Sequence, residues 1–559
     1  MGLAVLFLVG LLGRTFYVQV VAASDLKAKG QEQYSRTIEL DAPRGVIYDR
    51  DGCKLAVSQT MATVYANPRQ IDDPVATAKV LAVILERPFE ELVERLESDA
   101  GFSYLARKIE PAKGAKVEAL DLAGVFVCAE DKRVYPTGAL APQLLGFVGT
   151  DNIGLAGLEK EYDELLSGTP GTLEVMSDLS GNRLSTTHVE EAVPGSSITL
   201  TIDKDIQFEV EKVLTGVVEQ FQANKACAVV IEPHTGEILA MANTPVFDTN
   251  EYGSVEEKHR RNWAVTDQYE PGSTFKMVVA AAALQEGLVT PETTFTLGKE
   301  IQVYDRVVHE SHENMPEVRE LSVTQILAES SNVGAVTLGL ELGKDRLVDT
   351  IDKFGFTKKL DIDFPGEASG IMPKKWSGTT IANVPIGQGI SVSPLQLAAA
   401  YATIANDGVL VQPHLVRDVS SLWAREVVSE QVAADLREML TETVQDGTGT
   451  NARVAGYSVA GKTGTAQKVD EESGTYADDR FMASFVGIVP ADDPGLVILV
   501  MVDEPTTEHL GARVAAPAFA KIAELSLRIL GIPPSQDESA AGTDENGLHA
   551  LVPSTSGEE

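Results

Sequence analysis

The sequence predicts an α+β multidomain protein, and three observations lead to this class. The chain has 559 residues, more than one hydrophobic core normally serves, so we expect two to four domains. Between residues 196 and 532, strand-like segments at both ends enclose a mainly helical middle, which predicts one sheet of distant segments with helices on its faces. An apolar stretch at residues 3–23 precedes these domains.

We divide the chain accordingly into four parts. They are a membrane anchor at 1–23, a mixed α/β domain at 24–195, a sheet-and-helix domain at 196–532 and an acidic tail at 533–559. The tail holds 6 acids and no Lys or Arg, which predicts disorder.

The N-terminal stretch favours a single-pass membrane anchor. Residues 3–13 are uncharged but too few to cross a hydrocarbon core of about 30 Å, so the span must include Arg14, whose long side chain can reach an interface. A cleaved signal peptide ending near Val21-Ala22-Ala23 and a core helix are the alternatives. No basic residue precedes the apolar run, so we expect the native start to lie upstream, with a basic cytoplasmic stub.

The domain at 24–195 mixes helical and strand-like segments after a polar linker at 24–45. Its predicted helices cover 75–85, 89–96 and 115–120, and a strand covers 125–128. Turn residues at 192–196 mark its end.

The domain at 196–532 opens with a predicted strand at 198–202. Asp203 is a good N-cap for a helix at 204–222, and 226–232 with 237–242 predict a β-hairpin. Further helices are predicted at 274–284, 323–328, 335–342, 395–405 and 515–530, and further strands at 457–460, 481–489 and 495–502.

Charge and cysteine content exclude some functions. The net charge of −36 argues against nucleic-acid binding, for which a basic patch is typical, and indicates a solvated acidic surface. Three distant cysteines, Cys53, Cys128 and Cys227, predict neither a disulfide framework nor a metal site.

Three short motifs follow one another in the larger domain: Ser273-Thr274-Phe275-Lys276, Ser330-Ser331-Asn332 and Lys462-Thr463-Gly464-Thr465. Each is weak alone, because Ser24-Asp25-Leu26-Lys27 also matches the first and Ser180-Gly181-Asn182 the second. The order and the sequence contexts of the three motifs make the combination specific to a serine acyl-transfer site.

The first motif pairs a nucleophile with a base. A serine hydroxyl reacts slowly unless a base takes its proton, and positions i and i+3 of a helix share a face, which places the Lys276 amine over Ser273. Burial and a nearby cation both favour a neutral lysine, and Lys462 is the candidate cation. A surface helix pair is the alternative.

The other two motifs predict a proton relay and a binding strand. We expect Ser330 to relay a proton and Asn332 to bind a substrate amide; a polar turn between helices is the alternative. Lys462, Thr463 and Thr465 suit a terminal carboxylate, and Gly464 leaves room for a substrate along the strand. Backbone N–H groups of Ser273 and Thr465 are the predicted oxyanion donors. A strand end with a turn is the alternative for this segment.

Residues 309–313 (His-Glu-Ser-His-Glu) lack the helical H-E-x-x-H spacing of a zinc site. We expect a polar loop beside the active site there, with no metal and no cofactor.

The motifs and several further segments resemble class B penicillin-binding proteins over nearly the whole chain. These segments are residues 42–52, 135–136, 146–149, 154–159, 270–276, 387–389, 393–396 and 461–467. The resemblance implies a pedestal, or dimerisation, domain at 24–195 and a penicillin-binding transpeptidase domain at 196–532, with an antiparallel sheet flanked by helices.

The resemblance also implies an activity. Ser273 would attack a D-Ala-D-Ala stem, release D-Ala and pass the acyl group to a neighbouring stem, and penicillin would acylate the same serine. The second motif, with Asn332, is more similar to that of the division, FtsI-like branch, since the elongation branch usually has aspartate at this position. The implied partners are peptidoglycan stem peptides, β-lactams, a membrane glycosyltransferase and other division proteins, with the catalytic domain outside the cell membrane.

Two other classes share these motifs. One is a D,D-carboxypeptidase or β-lactamase-like hydrolase, although no Glu-x-x-Leu-Asn segment lies between Asn332 and Lys462. The other is a non-catalytic β-lactam sensor or scaffold, against which the intact Ser273 and Lys276 argue.

Overall fold

A computed structural model describes residues 1–23, 35–177, 183–310, 316–417, 421–470 and 474–535. The two decoy motifs at 24–27 and 180–182 lie outside the described residues, as do linker residues 24–34 and tail residues 536–559. The chain divides into two compact units. One comprises Met1–Gly138 and Leu145–Thr199, and the other Ala139–Leu144 and the chain from Leu200 onward.

The α-helices of the described residues are, in chain order, α1 (Gly2–Phe16), α2 (Pro74–Leu85), α3 (Phe89–Leu96), α4 (Pro111–Glu118), α5 (Pro142–Leu145), α6 (Gly157–Glu161), α7 (Asp163–Ser167), α8 (Lys204–Phe221), α9 (Trp263–Thr266), α10 (Lys276–Gln285), α11 (Val323–Ala328), α12 (Asn332–Lys353), α13 (Thr380–Asn383), α14 (Pro394–Ala405), α15 (Glu430–Gln445) and α16 (Gly511–Leu530).

The strands are β1 (Ser35–Leu40), β2 (Ile47–Tyr48), β3 (Lys54–Ala66), β4 (Ser103–Ile109), β5 (Val125–Val134), β6 (Gly171–Ser177), β7 (Arg183–Glu190), β8 (Ile198–Thr199), β9 (Lys225–Ile231), β10 (Ile238–Thr244), β11 (Thr294–Gly298), β12 (Glu300–Val303), β13 (Arg306–His309), β14 (Val318–Ser322), β15 (Val409–Val411), β16 (Ala424–Glu426), β17 (Ala460–Val469), β18 (Tyr476–Val489) and β19 (Leu496–Asp503).

The chain begins with α1, which continues as a π-helical segment over Tyr17–Val21. Large apolar side chains of α1, such as Leu3, Leu6 and Phe7, are exposed. Across the part of the chain that the structure describes, no helix combines the length and the apolar character needed to cross a membrane. The membrane anchor stays a prediction.

The first unit is built around β3, which pairs antiparallel with β2, β4 and β5. The predicted helices at 75–85 and 89–96 are confirmed as α2 and α3. Asp73 caps α2 by accepting a hydrogen bond from the Ala76 amide, and Pro74 occupies the first helical position, where no N–H is needed. Both helices contribute to an apolar core whose fully or nearly fully buried members include Val64, Leu81, Leu85, Leu92 and Leu96.

A buried ion cluster joins distant segments of this unit. Glu159 accepts from Arg44 Nη2 at 2.9 Å and from Arg133 Nε at 2.6 Å, and all three side chains are buried. Arg44 Nη1 also donates to Asp163 Oδ1 at 2.6 Å. Two guanidinium groups therefore depend on one fully buried carboxylate.

We predict that Glu159→Gln destabilises the protein strongly. The substitution leaves two buried guanidinium groups without their shared anion, and breaking a buried pair in this way costs about 3–5 kcal/mol. Urea unfolding measures the loss, with the exposed neighbour Glu161→Gln as control. Equal stability of the two variants would contradict this role.

The second unit contains a five-stranded sheet with the order β10-β9-β19-β18-β17. All neighbouring strands are antiparallel, and the predicted hairpin is confirmed by the pairing of β9 with β10. The sheet joins strands from both ends of the domain, as the sequence predicts. Strand β17 lies at one edge of this sheet, and no strand of the described residues pairs with its outer side.

Helices cover both faces of this sheet. On one face, α8 packs against β9 and β10, and α16 packs against β18 and β19. Alternate residues of β19, such as Ile498 and Val500, share one apolar core with both helices. The helix α14 contacts β9 and β19 on the other side, and all of its residues are buried. Because both faces of the sheet are covered, every residue of β19 is buried, and its sequence is almost continuously apolar instead of alternating between apolar and polar residues.

Several predicted boundaries are wrong. The strand predicted at 457–460 begins only at Ala460, because residues 454–457 form a turn closed by a hydrogen bond from the Tyr457 amide to Val454 O. The strand predicted at 198–202 ends at Thr199. The helix predicted at 335–342 is part of α12, which extends to Lys353 through a non-helical Gly343.

Candidate active site

Ser273 lies on a single 3-10 turn, Gly272–Phe275, that leads directly into α10. The Ser273 side chain is half-buried, whereas Lys276 and the Ala- and Val-rich residues that follow it are buried. Two buried hydrogen bonds hold the turn. Thr274 Oγ1 donates to Pro271 O at 2.7 Å, and the buried Tyr401 hydroxyl donates to Thr274 O at 2.9 Å. Ser273 is therefore presented by a rigid, apolar support.

Two glycines allow neighbouring backbone to approach this turn. A Cβ on Gly387 (φ +74°) would lie 2.2 Å from Gly272 O, and one on Gly464 would lie 2.4 Å from Ser484 Oγ and 3.0 Å from Thr274 Cγ2. Strand β17 thus lies directly against the serine turn. A Cβ at Gly464 would point toward protein atoms. The role of Gly464 in making room for a substrate stays a prediction.

The Lys276 amine makes three hydrogen bonds. Nζ donates to Ser330 O at 2.5 Å and to Asn332 Oδ1 at 2.7 Å, and it lies 3.2 Å from Ser330 Oγ. The structure thus brings Lys276 together with Ser330 and Asn332, which lie 54 and 56 positions after the lysine in the sequence.

These contacts define what a neutral Lys276 can do. Neutral lysine has two N–H donors and one lone pair. Ser330 O and Asn332 Oδ1 can only accept, so they take both N–H groups. The lone pair is left to receive a proton from a hydroxyl, and Ser330 Oγ is the hydroxyl already in contact.

Burial makes a neutral lysine accessible at ordinary pH. It lowers the pKa of Lys276 to about 7, and the negative charge of Glu310 opposes this in part. Burial also lowers the pKa of Lys462 well below its usual value, and the charge of Lys276 lowers it further. Burial is the larger cause of the lowered pKa of Lys276, and the expectation that Lys462 acts on it as a neighbouring cation stays a prediction.

The turn between α11 and α12 carries an unusual backbone. Ser330 has φ +61°, a left-handed conformation that a non-glycine residue rarely adopts. Ser331 caps α12 by accepting from the Gly334 amide at 2.9 Å. The backbone N–H of Asn332 donates to Glu310 Oε2 at 2.8 Å, and the side-chain Nδ2 of Asn332 donates to His309 O at 3.0 Å.

Strand β17 carries the third motif along the unpaired edge of the sheet. Lys462 is fully buried, and its Nζ lies 3.5 Å from Thr448 Oγ1, which in turn lies 3.0 Å from Thr463 Oγ1. Thr465 Oγ1 accepts from the Gly511 amide at 2.9 Å. The hydroxyls of Thr463 and Thr465 therefore already have protein partners.

Sequence reasoning missed two residues that hold this site: Tyr401, which supports the serine turn, and Thr448, which links Lys462 to Thr463. Neither belongs to a motif, and only packing from distant elements reveals them. Glu310 belongs to the loop at 309–313 that the sequence predicts beside the active site, and it binds the Ser331-Asn332 segment. The sequence does not predict this contact. Residues 311–313 of the loop lie outside the described residues.

Comparison with known proteins decides the family. Residues 226–524 match the penicillin binding protein transpeptidase domain, and residues 39–200 match the penicillin-binding protein dimerisation domain. The chain belongs to the class B penicillin-binding proteins. This confirms the resemblance inferred from the motifs and makes the protein a serine-type D,D-transpeptidase of peptidoglycan synthesis, with a fold that binds β-lactams and stem peptides.

Curated relatives and solved structures cover nearly the full length. The chain is 36% identical to stage V sporulation protein D of Bacillus subtilis, over 94% of this chain and 84% of that protein. It is 32% identical to the peptidoglycan D,D-transpeptidase FtsI of Escherichia coli, over 95% and 91%. The structure of penicillin-binding protein 3 from Mycobacterium tuberculosis with aztreonam superposes with a TM-score of 0.71 at 32% identity, covering 89% of this chain and 98% of that one.

We predict that covalent labelling by fluorescent penicillin depends on the protonation of Lys276. A base must be neutral, and the pKa of Lys276 is about 7, so labelling should be half-maximal near pH 7, fall below it and level off above it. Rates measured from pH 5 to 9 test this.

Lys276→Arg should lower the labelling rate about 10²–10⁴-fold at every pH, because guanidinium stays charged. The exposed Lys344→Arg is the control and should behave as wild type. A wild-type rate that keeps rising up to pH 9 would show that Lys276 has the pKa of an ordinary lysine.

Proposed function

We propose that this protein is a septal peptidoglycan D,D-transpeptidase that works through an acyl-enzyme on Ser273. The observation that carries the proposal is the buried Lys276 amine, which Ser330 and Asn332 hold one turn beyond Ser273. A base with a pKa of about 7 is suited to accept a serine proton near neutral pH.

In the acylation step, Ser273 Oγ gives its proton to Lys276 and attacks the carbonyl carbon of the penultimate D-Ala. The backbone N–H groups of Ser273 and Thr465 stabilise the oxyanion. The C–N bond to the terminal D-Ala then breaks, and the proton passes from Lys276 through the Ser330 hydroxyl to the leaving amine. The contact between Lys276 Nζ and Ser330 Oγ at 3.2 Å supports this route.

Deacylation reverses the proton path. The amine of a neighbouring stem attacks the ester carbonyl and loses a proton through Ser330 to Lys276, which returns it to Ser273 Oγ as the ester C–O bond breaks. Asn332 Nδ2 or Oδ1 is placed to hydrogen-bond a stem amide if it exchanges its contact with His309 O or with Lys276. The product is a cross-link with no net change in protons.

Lys462, Thr463 and Thr465 are proposed to bind the terminal carboxylate of the stem or of penicillin. A carboxylate beside Lys462 would oppose the effect of burial and favour the ammonium form. The Thr463 hydroxyl, which can rotate, would turn from Thr448 to the ligand. The Thr465 hydroxyl accepts from the Gly511 amide and can donate its own hydrogen to the ligand carboxylate.

The septal role and the cellular setting are further proposals. Asn332 in the second motif and the similarity to FtsI of Escherichia coli support the division branch. We propose a membrane glycosyltransferase and other division proteins as partners, with the catalytic domain outside the cell membrane. The exposed apolar side chains Leu3, Leu6 and Phe7 of α1 support attachment to the membrane through a single N-terminal anchor.

Ser273→Ala should abolish covalent labelling by fluorescent penicillin without unfolding the protein, because the side chain is only half-buried. Labelling is read on denaturing gels and by peptide mapping, with the exposed Ser254→Ala as matched control. Persistent labelling at another serine would contradict the assignment.

Product analysis separates transpeptidation from hydrolysis. With two stem-peptide chains, the wild type should form a cross-linked dimer and release D-Ala, and Ser273→Ala should do neither. Release of D-Ala without a dimer would favour the carboxypeptidase alternative.

A further inference from the structure

We propose that Glu310 is a positioning residue for acylation, which holds the Ser330-Ser331-Asn332 turn in place and supplies a negative charge to the surroundings of Lys276. The inference deepens the proposed acyl-enzyme mechanism and rests on it. Glu310 lies outside the three motifs, directly after β13, and its side chain is only 3% exposed.

Three donors converge on the Glu310 carboxylate. Ser331 Oγ donates to Oε1 at 2.5 Å, and Arg319 Nη2 donates to Oε1 at 3.0 Å. The backbone N–H of Asn332 donates to Oε2 at 2.8 Å. Two of these donors belong to the turn that supplies Ser330 and Asn332 to Lys276. The carboxylate therefore binds the turn through a side chain and through backbone.

The turn needs such support because of its backbone. Ser330 adopts φ +61°, and a non-glycine residue keeps a left-handed conformation only where surrounding contacts over-determine it. The Ser330 and Ser331 amides donate to Leu327 O and Ile326 O on the α11 side. Glu310 supplies the hydrogen bonds on the α12 side, so the turn is fixed at both ends.

The charge of Glu310 also acts on Lys276. Within the described residues, Glu310 and Lys462 on β17 interact with the charge of Lys276. Glu310 in turn pairs with Arg319 on β14, which also binds Glu329. Burial lowers the pKa of Lys276, and Glu310 raises it. Arg319 weakens the field of Glu310, because it carries the opposite charge and contacts the same carboxylate.

These relations predict opposite effects of two substitutions. Glu310→Gln removes the negative charge, so the pKa of Lys276 should fall and the acidic limb of the labelling profile should move to lower pH. Arg319→Gln leaves the negative charge of Glu310 uncompensated, so the limb should move to higher pH. A merely structural residue would change the rate without producing opposite shifts.

The experiment measures the rate of labelling by fluorescent penicillin from pH 5 to 9 in the full chain. Glu310→Gln should lower the plateau rate about tenfold to a hundredfold, because one amide oxygen cannot accept from both sides of the carboxylate and the turn loses its placement. In both variants, the acidic limb of the labelling profile should move by about half a pH unit or more. Circular dichroism and thermal unfolding verify the fold.

Glu317→Gln is the matched control, since Glu317 is 86% exposed and pairs with Lys299 at the surface. It should leave both the plateau and the limb unchanged. A limb that stays at the wild-type pH in Glu310→Gln or Arg319→Gln, or that moves in the same direction in both, overturns the proposal. If Glu310→Gln fails to fold, the direction of the shift in Arg319→Gln decides alone.

Failure of the proposed function has a different outcome. Without it, wild-type protein would show no labelling that depends on Ser273. Labelling that depends on Ser273 but has unmoved limbs overturns only the role of Glu310.

Discussion

The exclusion of water from two lysine amines is the physical constraint on which the site depends. An ammonium group taken out of water loses its hydration, so its pKa falls unless an anion compensates. Lys276 and Lys462 are both buried, and a carboxylate, Glu310, opposes the effect at Lys276 alone. The result is a buried amine, Lys276, that can exchange protons near neutral pH.

The fold creates this environment from elements that are distant in sequence. Helix α10 is apolar around its whole circumference and carries Lys276 at its first position. Strand β17 brings Lys462 against the serine turn from the edge of the sheet, and Gly464 permits this close approach. The turn before α12 supplies the three hydrogen bonds to Lys276. A change in any of these elements would admit water to the amine or leave it without partners.

The sequence predicts the parts of this arrangement that depend on local pattern. Helix α3 at 89–96, the N-cap Asp203 and the β9–β10 hairpin follow from periodicity and turn chemistry, and the motifs supply Ser273, Lys276, Ser330 and Asn332. Tyr401 and Thr448 could not be predicted, because each acts through a contact with an element far away in sequence. The loop that carries Glu310 was expected beside the site, but the contacts of its carboxylate with Ser331 and Asn332 were not. The lowered pKa of Lys276 was expected from burial and a neighbouring cation, but the extent of burial depends on elements that pack from elsewhere in the fold. Strand β17 was misplaced for a related reason, because the turn at 454–457 delays its start.

A titration of Lys276 by carbon-13 NMR tests the central claim most directly. Lysines labelled at the ε-carbon would be followed from pH 5 to 11 in the full chain, and the Lys276 resonance would be assigned by its loss in Lys276→Arg. We predict that this resonance titrates with a pKa of about 7, whereas surface lysines titrate near 10.4. A Lys276 resonance that titrates together with the surface lysines would show that the amine remains an ammonium at neutral pH, and would contradict its role as the base.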